Sequence, residues 1–352
     1  MNIEIAQQND YPKWDRYVSA HPFGHPYALT GWGEAIACAY KHPVHYLMAF
    51  DEDQSLTGVL PLVHMKSRLF GNNLYSMPFA DLGGVLADDE NIEAALINKA
   101  CEIASEQGVS ALELRQVKPL SDVEQTEYSK QDRSIDKVRM LLDLPETADQ
   151  LMTSFKAKLR SQIRRPLKDG LDVKSGGRDL LNDFYRVFVE NMRDLGSPVH
   201  AKNFIVAVLD NFKSSRLFLV YKNDNPLACA LVLGCRNALF NPWASSLRRY
   251  SRMSPNMLLY WSMLEYACDN GFRQFDFGRS TPQEGTYKFK QQWGAVEHPL
   301  YWEICSRQEP KLGVVKSADQ KSRFDLATRI WAKMPVRLTR VVGPRLRKNI
   351  GL

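Results

Sequence analysis

One order of predicted secondary-structure elements occurs twice along the chain, and this repeat restricts the possible folds more than any other feature. In the first half, a strand at residues 3–5 precedes two amphipathic helices, a strand pair across a polar turn, a longer helix and further strands. From residue 171 onward, a strand, a long helix, a shorter helix and several strands follow in a similar order. The pattern therefore predicts two α/β domains, each a mixed twisted sheet flanked by helices.

The predicted boundaries are residues 1–150 for the first domain, 151–310 for the second and 311–352 for a basic tail. We interpret the polar stretch 118–137 as a loop or insertion and residues 138–144 as the last strand of the first domain. Thr30 is predicted to cap the second helix. At 352 residues and 44% hydrophobic content, the chain is long enough to bury a core in each domain.

Composition argues against several other classes of protein. Six scattered cysteines form no CxxC pair, which predicts reduced thiols in a cytoplasmic protein. Five of the seven histidines lie within residues 21–64, but their spacing matches no metal motif, so we predict no metal site. The N-terminal segment lacks a signal-peptide pattern, and no apolar run reaches the length of a membrane span.

Residues 272–294 carry the strongest chemical signal in the sequence. A short strand ends at Gly278 and opens into a loop, and Tyr287, Phe289 and Trp293 follow at near-helical spacing. Because sites in α/β proteins commonly lie where strands end, we expect a site here. An ordinary amphipathic helix with a solvated basic face is the alternative interpretation. The charged residues of the segment are Asp276, Arg279, Lys288 and Lys290.

A second cationic segment lies at the junction of the two halves, residues 151–170. Phe155, Leu159, Ile163 and Leu167 recur every fourth residue and predict one apolar stripe. The remaining positions hold cations without a neutralising carboxylate until Asp169, which favours a phosphate-rich ligand over a purely solvated face. Pro166 is expected to stop or kink this helix near residue 164. The cations are Lys156, Lys158, Arg160, Arg164, Arg165 and Lys168.

Residues 245–256 lie between a predicted strand and a helix, at a place where phosphate could bind. The segment contains Arg248, Arg249 and Arg252, and then Ser254 and Pro255 as a predicted cap and first helical residue. A helix N-terminus can hold phosphate through its free N–H groups. The segment has no glycine, however, so the glycine-rich loop typical of acyl-CoA-binding acetyltransferases is absent.

Three segments together resemble the FemAB family, which consists of peptidyltransferases and related acyltransferases. The resemblance rests on Asp276-Phe277-Gly278, Gly285-Thr286-Tyr287-Lys288-Phe289-Lys290 and Trp293-Gly294, on the basic junction helix, and on the segment 184–198. It covers roughly residues 1–305. The version 275–282, with Trp293-Gly294-Ala295 behind it, is similar to the branch associated with exosortase and PEP-CTERM exopolysaccharide loci. The resemblance implies two tandem GNAT-like (acyl-CoA N-acyltransferase) domains, and a glycine pair, Gly83-Gly84, beside the acceptor cleft.

The resemblance also implies an enzyme that transfers an acyl or aminoacyl group to an amine of a cell-envelope or exopolysaccharide precursor. Such chemistry needs two oriented substrates, loss of a proton and stabilisation of an oxyanion, but neither a metal nor a covalent nucleophile. We predict Asp276 or Glu265 as proton acceptor. The predicted substrate-binding residues are Lys158, Arg160, Arg164, Arg252, Arg279, Tyr287, Lys288 and Lys290, with Lys290 as an anchor for donor or acceptor pyrophosphate.

Several questions about partners stay open at this point. No tightly bound cofactor is expected, and the acyl donor is a co-substrate, either aminoacyl-tRNA or acyl-CoA. The acceptor is a small-molecule or lipid-linked envelope precursor. An acyl-CoA-dependent GNAT N-acyltransferase and a non-catalytic scaffold of a polysaccharide or exosortase assembly system are the alternative functions. The predicted location is the cytoplasm, either free or peripheral on the inner membrane.

The tail is the most unevenly charged part of the chain. After Asp325 it has seven cations and no acid, although the net charge of the whole chain is only +6. Apolar residues are interleaved with these cations, and Pro335 and Pro344 predict two short amphipathic pieces. The tail is expected either to dock on the body or to contact an anionic leaflet, and this second role would place the site beside a lipid-linked acceptor.

Overall fold

A computed structural model describes residues 1–120, 128–134, 137–307 and 318–351 of the chain. The first half alternates amphipathic helices with strands whose apolar residues face both sides of a sheet. Its elements are β1 (Asn2–Ile5), α1 (Tyr11–Ala20), α2 (Thr30–Tyr40), β2 (Val44–Phe50), β3 (Leu56–Ser67), β4 (Gly71–Tyr75), β5 (Leu86–Ala87), α3 (Glu90–Glu106), β6 (Ala111–Gln116) and β7 (Tyr128–Ser134).

The second half repeats this alternation and adds the tail helices. After β8 (Val138–Asp143), the last strand of the first half, its elements are α4 (Ala148–Ser154), α5 (Ala157–Lys168), β9 (Asp172–Gly176), α6 (Leu181–Asp194), α7 (Lys202–Asn211), β10 (Ser215–Lys222), β11 (Asn225–Cys235), β12 (Ala238–Ser246), α8 (Pro255–Asp269), β13 (Gln274–Ser280), α9 (Gly285–Gln291), β14 (Val296–Pro299), β15 (Tyr301–Arg307), α10 (Ala318–Ala332) and α11 (Val336–Arg347).

The strands form two mixed sheets that exchange members between the halves. The first sheet has the order β1-β2-β3-β4-β6-β15-β7, with β5 paired to β3, and the second has the order β14-β8-β13-β12-β11-β10-β9. The strand predicted at residues 138–144 to end the first domain therefore lies in the second sheet, beside β13. In return, β15 from the second half pairs with β6 of the first sheet. The division at residue 150 stays a prediction, because each half contributes one strand to the other's sheet.

A shared hydrophobic core joins the two halves. Trp14 and Trp32 of the first half and Phe188 and Phe204 of the second are fully buried members of this cluster. The outer face of each sheet has a hydrophobic core of its own. In the first sheet this core includes α3, and in the second it includes α5 and α8. Since the shared core contains residues from both sheets, the halves are fixed against each other by apolar burial.

Three local predictions were wrong. Thr30 is the first residue of α2 rather than its cap, and its hydroxyl donates to Asp15. Within 118–137, which was interpreted as a loop, residues 128–134 form β7 because β15 supplies a partner strand; residues 121–127 and 135–136 lie outside the described part. The junction helix is two helices, and α5 continues through Pro166 to Lys168. Pro166 is buried there and Leu167 is exposed, so Leu167 does not belong to the apolar stripe.

The tail docks on the body through one face of each helix. Trp331 of α10 and Thr339 and Gly343 of α11 are buried, and both helices pack against α6. The chain then continues between the halves, where the Gly351 carbonyl accepts hydrogen bonds from Arg115 and from the Phe79 N–H. Pro335 separates the two helices as predicted, but Pro344 lies inside α11 and does not end it. Residues 308–317 lie outside the described part.

Candidate functional site

The site begins where two parallel strands separate. β12 and β13 pair only from Ala238 with Gln274 to Phe240 with Asp276. Beyond this point β13 has an irregular register with its other neighbour, β8, and Gly278 takes a φ of 72°, which glycine adopts without strain. The carboxyl ends of β12 and β13 therefore diverge, and the side chains after Asp276 can face the gap between them.

A buried ion pair fixes the strand at the point of divergence. Asp276 is 3% exposed, and its Oδ2 accepts a hydrogen bond from Arg139 Nε at 2.6 Å. Its Oδ1 accepts a second hydrogen bond from the Gly278 N–H at 2.7 Å. The guanidinium of Arg139 also lies over the ring of Phe240, 5.3 Å from the centroid. Both carboxylate oxygens thus have partners that hold the backbone of β13 in its bent course.

A second ion pair joins this strand end to the first half. Asp81 accepts a hydrogen bond from the Arg279 N–H at 2.9 Å and lies 3.3 Å from Arg279 Nε. The indole of Trp302 donates to the Asp81 carbonyl. Trp302 is flanked by two guanidinium groups, Arg115 at 4.5 Å and Arg279 at 4.9 Å from its ring. The Arg279 side chain keeps 30% of its surface exposed, so it can still bind a ligand.

Lys290 is the buried cation of the site. It is 7% exposed, and Nζ donates to the carbonyls of Gly278 at 3.0 Å and Arg279 at 2.8 Å. Burial lowers the pKa of Lys290 to about 8, although the nearby Asp81 and Asp276 carboxylates oppose that shift. An ammonium group has three donors; the strand carbonyls use two of them, and no partner for the third is found among the described residues, so it can serve a substrate.

The neighbouring hydroxyl is also available. Ser280, at the end of β13, is 3% exposed, and its Oγ has no hydrogen-bond partner within the described residues. A buried hydroxyl without a partner is costly unless a ligand or water satisfies it. Arg279 and Ser280 on β13, and Lys290 held against the carbonyls of that strand, therefore place three donor groups at the end of β13.

The turn that presents Asp81 is sterically tight. A Cβ on Gly83 would lie 2.1 Å from the Ser76 carbonyl oxygen, which belongs to the backbone and cannot rotate away. The N–H groups of Gly83 and Gly84 both donate to the Arg115 carbonyl. The close approach of two backbone segments thus explains the glycine pair without any ligand.

We expect Gly83→Ala to destabilise the protein by about 1–3 kcal/mol, because the added methyl group must displace backbone. Gly285→Ala is the matched control, since nothing lies within 4 Å of the position that its added methyl group would take. Thermal melting of both variants measures the difference. Equal melting temperatures would contradict the packing argument.

The structure brings together only part of the predicted site. Asp276, Arg279 and Lys290 converge at the end of β13, whereas Lys158 and Arg164 are exposed on α5. Arg160 donates to the carbonyls of Thr153 and Phe155 and so caps the end of α4. In the described part of the chain, no hydrogen bond or ion pair links these three cations to the strand-end group. Their role in substrate binding stays a prediction.

The other predicted residues have varied surroundings. Arg252 and Lys288 are exposed. The ring of Tyr287 belongs to the outer core of the second sheet, and a hydrogen bond to Glu297 raises the pKa of its hydroxyl. Glu265 is on the exposed side of α8, and partial burial raises its pKa. These four assignments also stay predictions.

Sequence reasoning missed the partners that complete the site. Arg139 comes from β8, far from Asp276 in sequence, and its only sequence signal was a lone cation in the apolar run Val138–Asp143. Asp81 lies two residues before the Gly83-Gly84 pair, and it had no predicted role from the sequence. Arg115 and Trp302 come from β6 and β15, and their meeting depends on the strand exchange between the sheets.

A cavity of about 300 Å³ lies between the halves, and Arg139 is one of its lining residues. Arg139, Phe240 and Gln274 line one wall, and Pro22 to His25 of the first half line another. Burial and the nearby Arg139 lower the pKa of His25 to about 3, so this imidazole is neutral. The cavity is not lined by Arg160, Arg279 or Lys290. Across the described residues, no group of His, Cys, Asp and Glu side chains is arranged to hold a metal ion.

Comparison with known proteins agrees with this architecture. Residues 153–291 match the family model described as "Acetyltransferase (GNAT) domain". The predicted tandem GNAT fold is confirmed. The solved structure entitled "Crystal structure of FemX" covers 93% of this chain and 100% of its own, with a TM-score of 0.66 and 16% identity. A tandem GNAT protein from the clavulanic acid biosynthesis pathway covers 88% of this chain and 100% of its own, with a TM-score of 0.55 and 10% identity.

A curated relative has a related activity in its name. The lipid II:glycine glycyltransferase of Staphylococcus saprophyticus is 22% identical to this chain over 86% of it and 95% of the relative. This relative and the FemX structure support the resemblance to the FemAB family. The GNAT match and the glycyltransferase relative confirm the prediction of an acyltransferase. Within the part of the chain that the structure describes, no helix is long and apolar enough to cross a membrane.

Proposed function

We propose that this protein transfers an aminoacyl group to an amine of a lipid-linked cell-envelope precursor, with the reaction at the end of β13. The observation that carries the proposal is the buried Lys290 ammonium, held by two strand carbonyls where β12 and β13 diverge. The similarity to a lipid II:glycine glycyltransferase supports both the aminoacyl group and the type of acceptor.

The reaction requires that negative charge be stabilised on the donor carbonyl. The acceptor amine attacks that carbonyl, a C–N bond forms, and the carbonyl oxygen becomes an oxyanion. The C–O bond of the donor ester then breaks, the leaving hydroxyl takes up a proton, and the amine loses one. The free N–H of Lys290 would donate to the oxyanion in a water-poor site, where such a bond is most effective.

Asp276 and Glu265 are the two candidates for the proton acceptor. Asp276 is buried at the site, whereas Glu265 is exposed on α8, so Asp276 is the better placed of the two predicted acceptors. Both of its oxygens already accept hydrogen bonds. To take up a proton, it would have to weaken its pairing with Arg139.

Aminoacyl-tRNA is the donor that we favour. The turn before α8 has no glycine, Ser254 takes a left-handed φ of 52°, and Arg249 is paired with Glu190. This start of α8 therefore lacks the glycine loop that cradles a CoA pyrophosphate. Acyl-CoA is the second candidate, because residues 153–291 match an acetyltransferase model. The assignment to the exosortase-associated branch, and with it an exopolysaccharide acceptor, stays a prediction.

Arg279 is proposed to bind a phosphate of the lipid-linked acceptor, because its guanidinium is partly exposed and fixed against Trp302. We expect Arg279→Ala to raise the acceptor dissociation constant about tenfold to a hundredfold, the effect of a lost charge-assisted hydrogen bond. Arg273→Ala is the control, since Arg273 is an exposed cation before the start of the same strand. If the variant instead has a lower melting temperature and unchanged acceptor binding, Arg279 has a structural role and does not bind the acceptor.

The function is tested by offering purified protein a lipid II-type acceptor with labelled glycyl-tRNA, other charged tRNAs or labelled acetyl-CoA. Transfer of label from a charged tRNA to the acceptor supports the proposal. Transfer of label from acetyl-CoA alone favours an acyl-CoA-dependent transferase. Absence of transfer from every donor, together with retained acceptor binding, would favour the non-catalytic scaffold.

A further inference from the structure

The tail helices present an exposed surface that the proposed reaction does not use. On α10, Leu326 and Ile330 are 58% and 56% exposed, and on α11, Leu338 and Val341 are 46% and 57% exposed. Large aliphatic side chains are seldom exposed to this degree in a group. We define the tail face as these four residues together with the exposed cations Arg329, Lys333, Arg337 and Arg345.

Helical spacing places these residues on one side of each helix. On α10, Leu326, Arg329 and Ile330 follow the i, i+3, i+4 pattern, and Lys333 comes directly after the helix. On α11, Leu338, Val341 and Arg345 follow i, i+3, i+7, and Arg337 lies one turn before Val341. The opposite sides are anchored: Trp331 and Gly343 are buried, and the backbone carbonyl of Met334 accepts a hydrogen bond from Arg193. Because the opposite side of each helix packs on the body, the tail face points toward solvent.

The charge of this surface has one sign. From residue 326 to 351 the sequence has seven cations and no acid. Nearby, Leu195 at the end of α6 is 52% exposed, and Gly196 packs against Thr328 of α10. None of the four cations of the tail face forms an ion pair with another described residue. Protruding aliphatic side chains among such cations complement an anionic lipid bilayer, in which head groups meet the cations and the aliphatic groups enter the interface.

We propose that the tail face docks the protein on the surface of an anionic membrane. The binding is peripheral: the aliphatic side chains reach the boundary between head groups and acyl chains while the inner face stays on α6. This inference does not depend on the proposed reaction, but it would place the site close to a lipid-linked acceptor. The tail thus both docks on the body and carries the membrane contact, which the sequence had presented as alternatives.

Flotation of the full chain with vesicles tests the proposal. The chain should float with phosphatidylcholine vesicles that contain phosphatidylglycerol, should float weakly with phosphatidylcholine alone, and should detach as salt rises. Changing Arg329, Lys333, Arg337 and Arg345 to Gln should weaken binding at least tenfold, because each cation near an anionic leaflet strengthens binding about fivefold. Changing Leu326, Ile330, Leu338 and Val341 to Ser should weaken it at least tenfold as well.

The control variant is Leu69→Ser with Phe70→Ser, at the tip between β3 and β4. These residues are 80% and 43% exposed and follow Lys66 and Arg68. Like the tail face, they combine exposed apolar side chains with cations, but they lie in a different part of the chain. The control should float like the unchanged chain, and all variants should keep its melting temperature. If the control loses as much vesicle binding as the tail variants, the assignment of membrane binding to the tail face is overturned. Absence of flotation, or a dimer that only the tail variants dissociate, would overturn membrane docking.

Discussion

Replacing Lys290 with Met should lower kcat for aminoacyl transfer by about 10²- to 10³-fold, the effect of removing one donor from an oxyanion. The Michaelis constants should change little, because the free N–H of Lys290 is expected to strengthen its bond only as charge develops. The substitution also leaves the Gly278 and Arg279 carbonyls without their donor, so some stability will be lost as well.

Two measurements separate these effects. The folded fraction of the Lys290→Met variant is determined by circular dichroism at the assay temperature, and kcat is expressed per folded molecule. Lys213→Met is the control, because Lys213 is an exposed lysine before β10 with no predicted role in substrate binding. A folded Lys290→Met variant with kcat close to that of the control would remove Lys290 from the mechanism.

Replacing Asp276 with Asn should destabilise the protein by about 3–5 kcal/mol, because Arg139 would remain largely buried without its anionic partner. The double variant Asp276→Asn with Arg139→Met should recover much of this loss, since neither charge then remains unpaired. Chemical denaturation of the two single variants and the double variant measures the coupling between the residues. Additive losses would show that the two side chains do not depend on each other.

The same double variant decides what Asp276 does in the reaction. If Asp276 accepts the proton of the attacking amine, kcat should stay low after stability is recovered. If its role is to hold the bent strand, kcat should recover with the folded structure. The two outcomes differ in activity per folded molecule, so a purely structural effect is recognised directly.

The repeat of elements was sufficient to predict the fold class, because hydrophobic periodicity reports which face of each helix and strand is buried. It did not predict the exchange of β8 and β15 between the sheets, since pairing of strands remote in sequence depends on tertiary packing. The same limit explains the strand at Tyr128–Ser134: its polar sequence indicates a loop, and β15 provides the partner that makes it a strand.

The site was predictable where its residues are close in sequence. Asp276, Arg279 and Lys290 lie in one segment, and the structure brings them together. Asp81, Arg139 and Trp302 approach from other strands and turns, and nothing local in their sequence indicates this meeting. The cations of α5 had the strongest sequence signal for phosphate binding, yet Arg160 caps a helix and the others face solvent.

The pH dependence of the single-turnover transfer rate tests the central claim most directly. Burial lowers the pKa of Lys290 from its ordinary value of 10.5 to about 8, because it disfavours the charged ammonium. If that ammonium stabilises the oxyanion, the rate should fall as pH rises through about 8, and the Lys290→Met variant should lack this fall. A rate that instead rises through pH 8 in the unchanged protein and stays flat in the variant would make neutral Lys290 a base and contradict the proposed role.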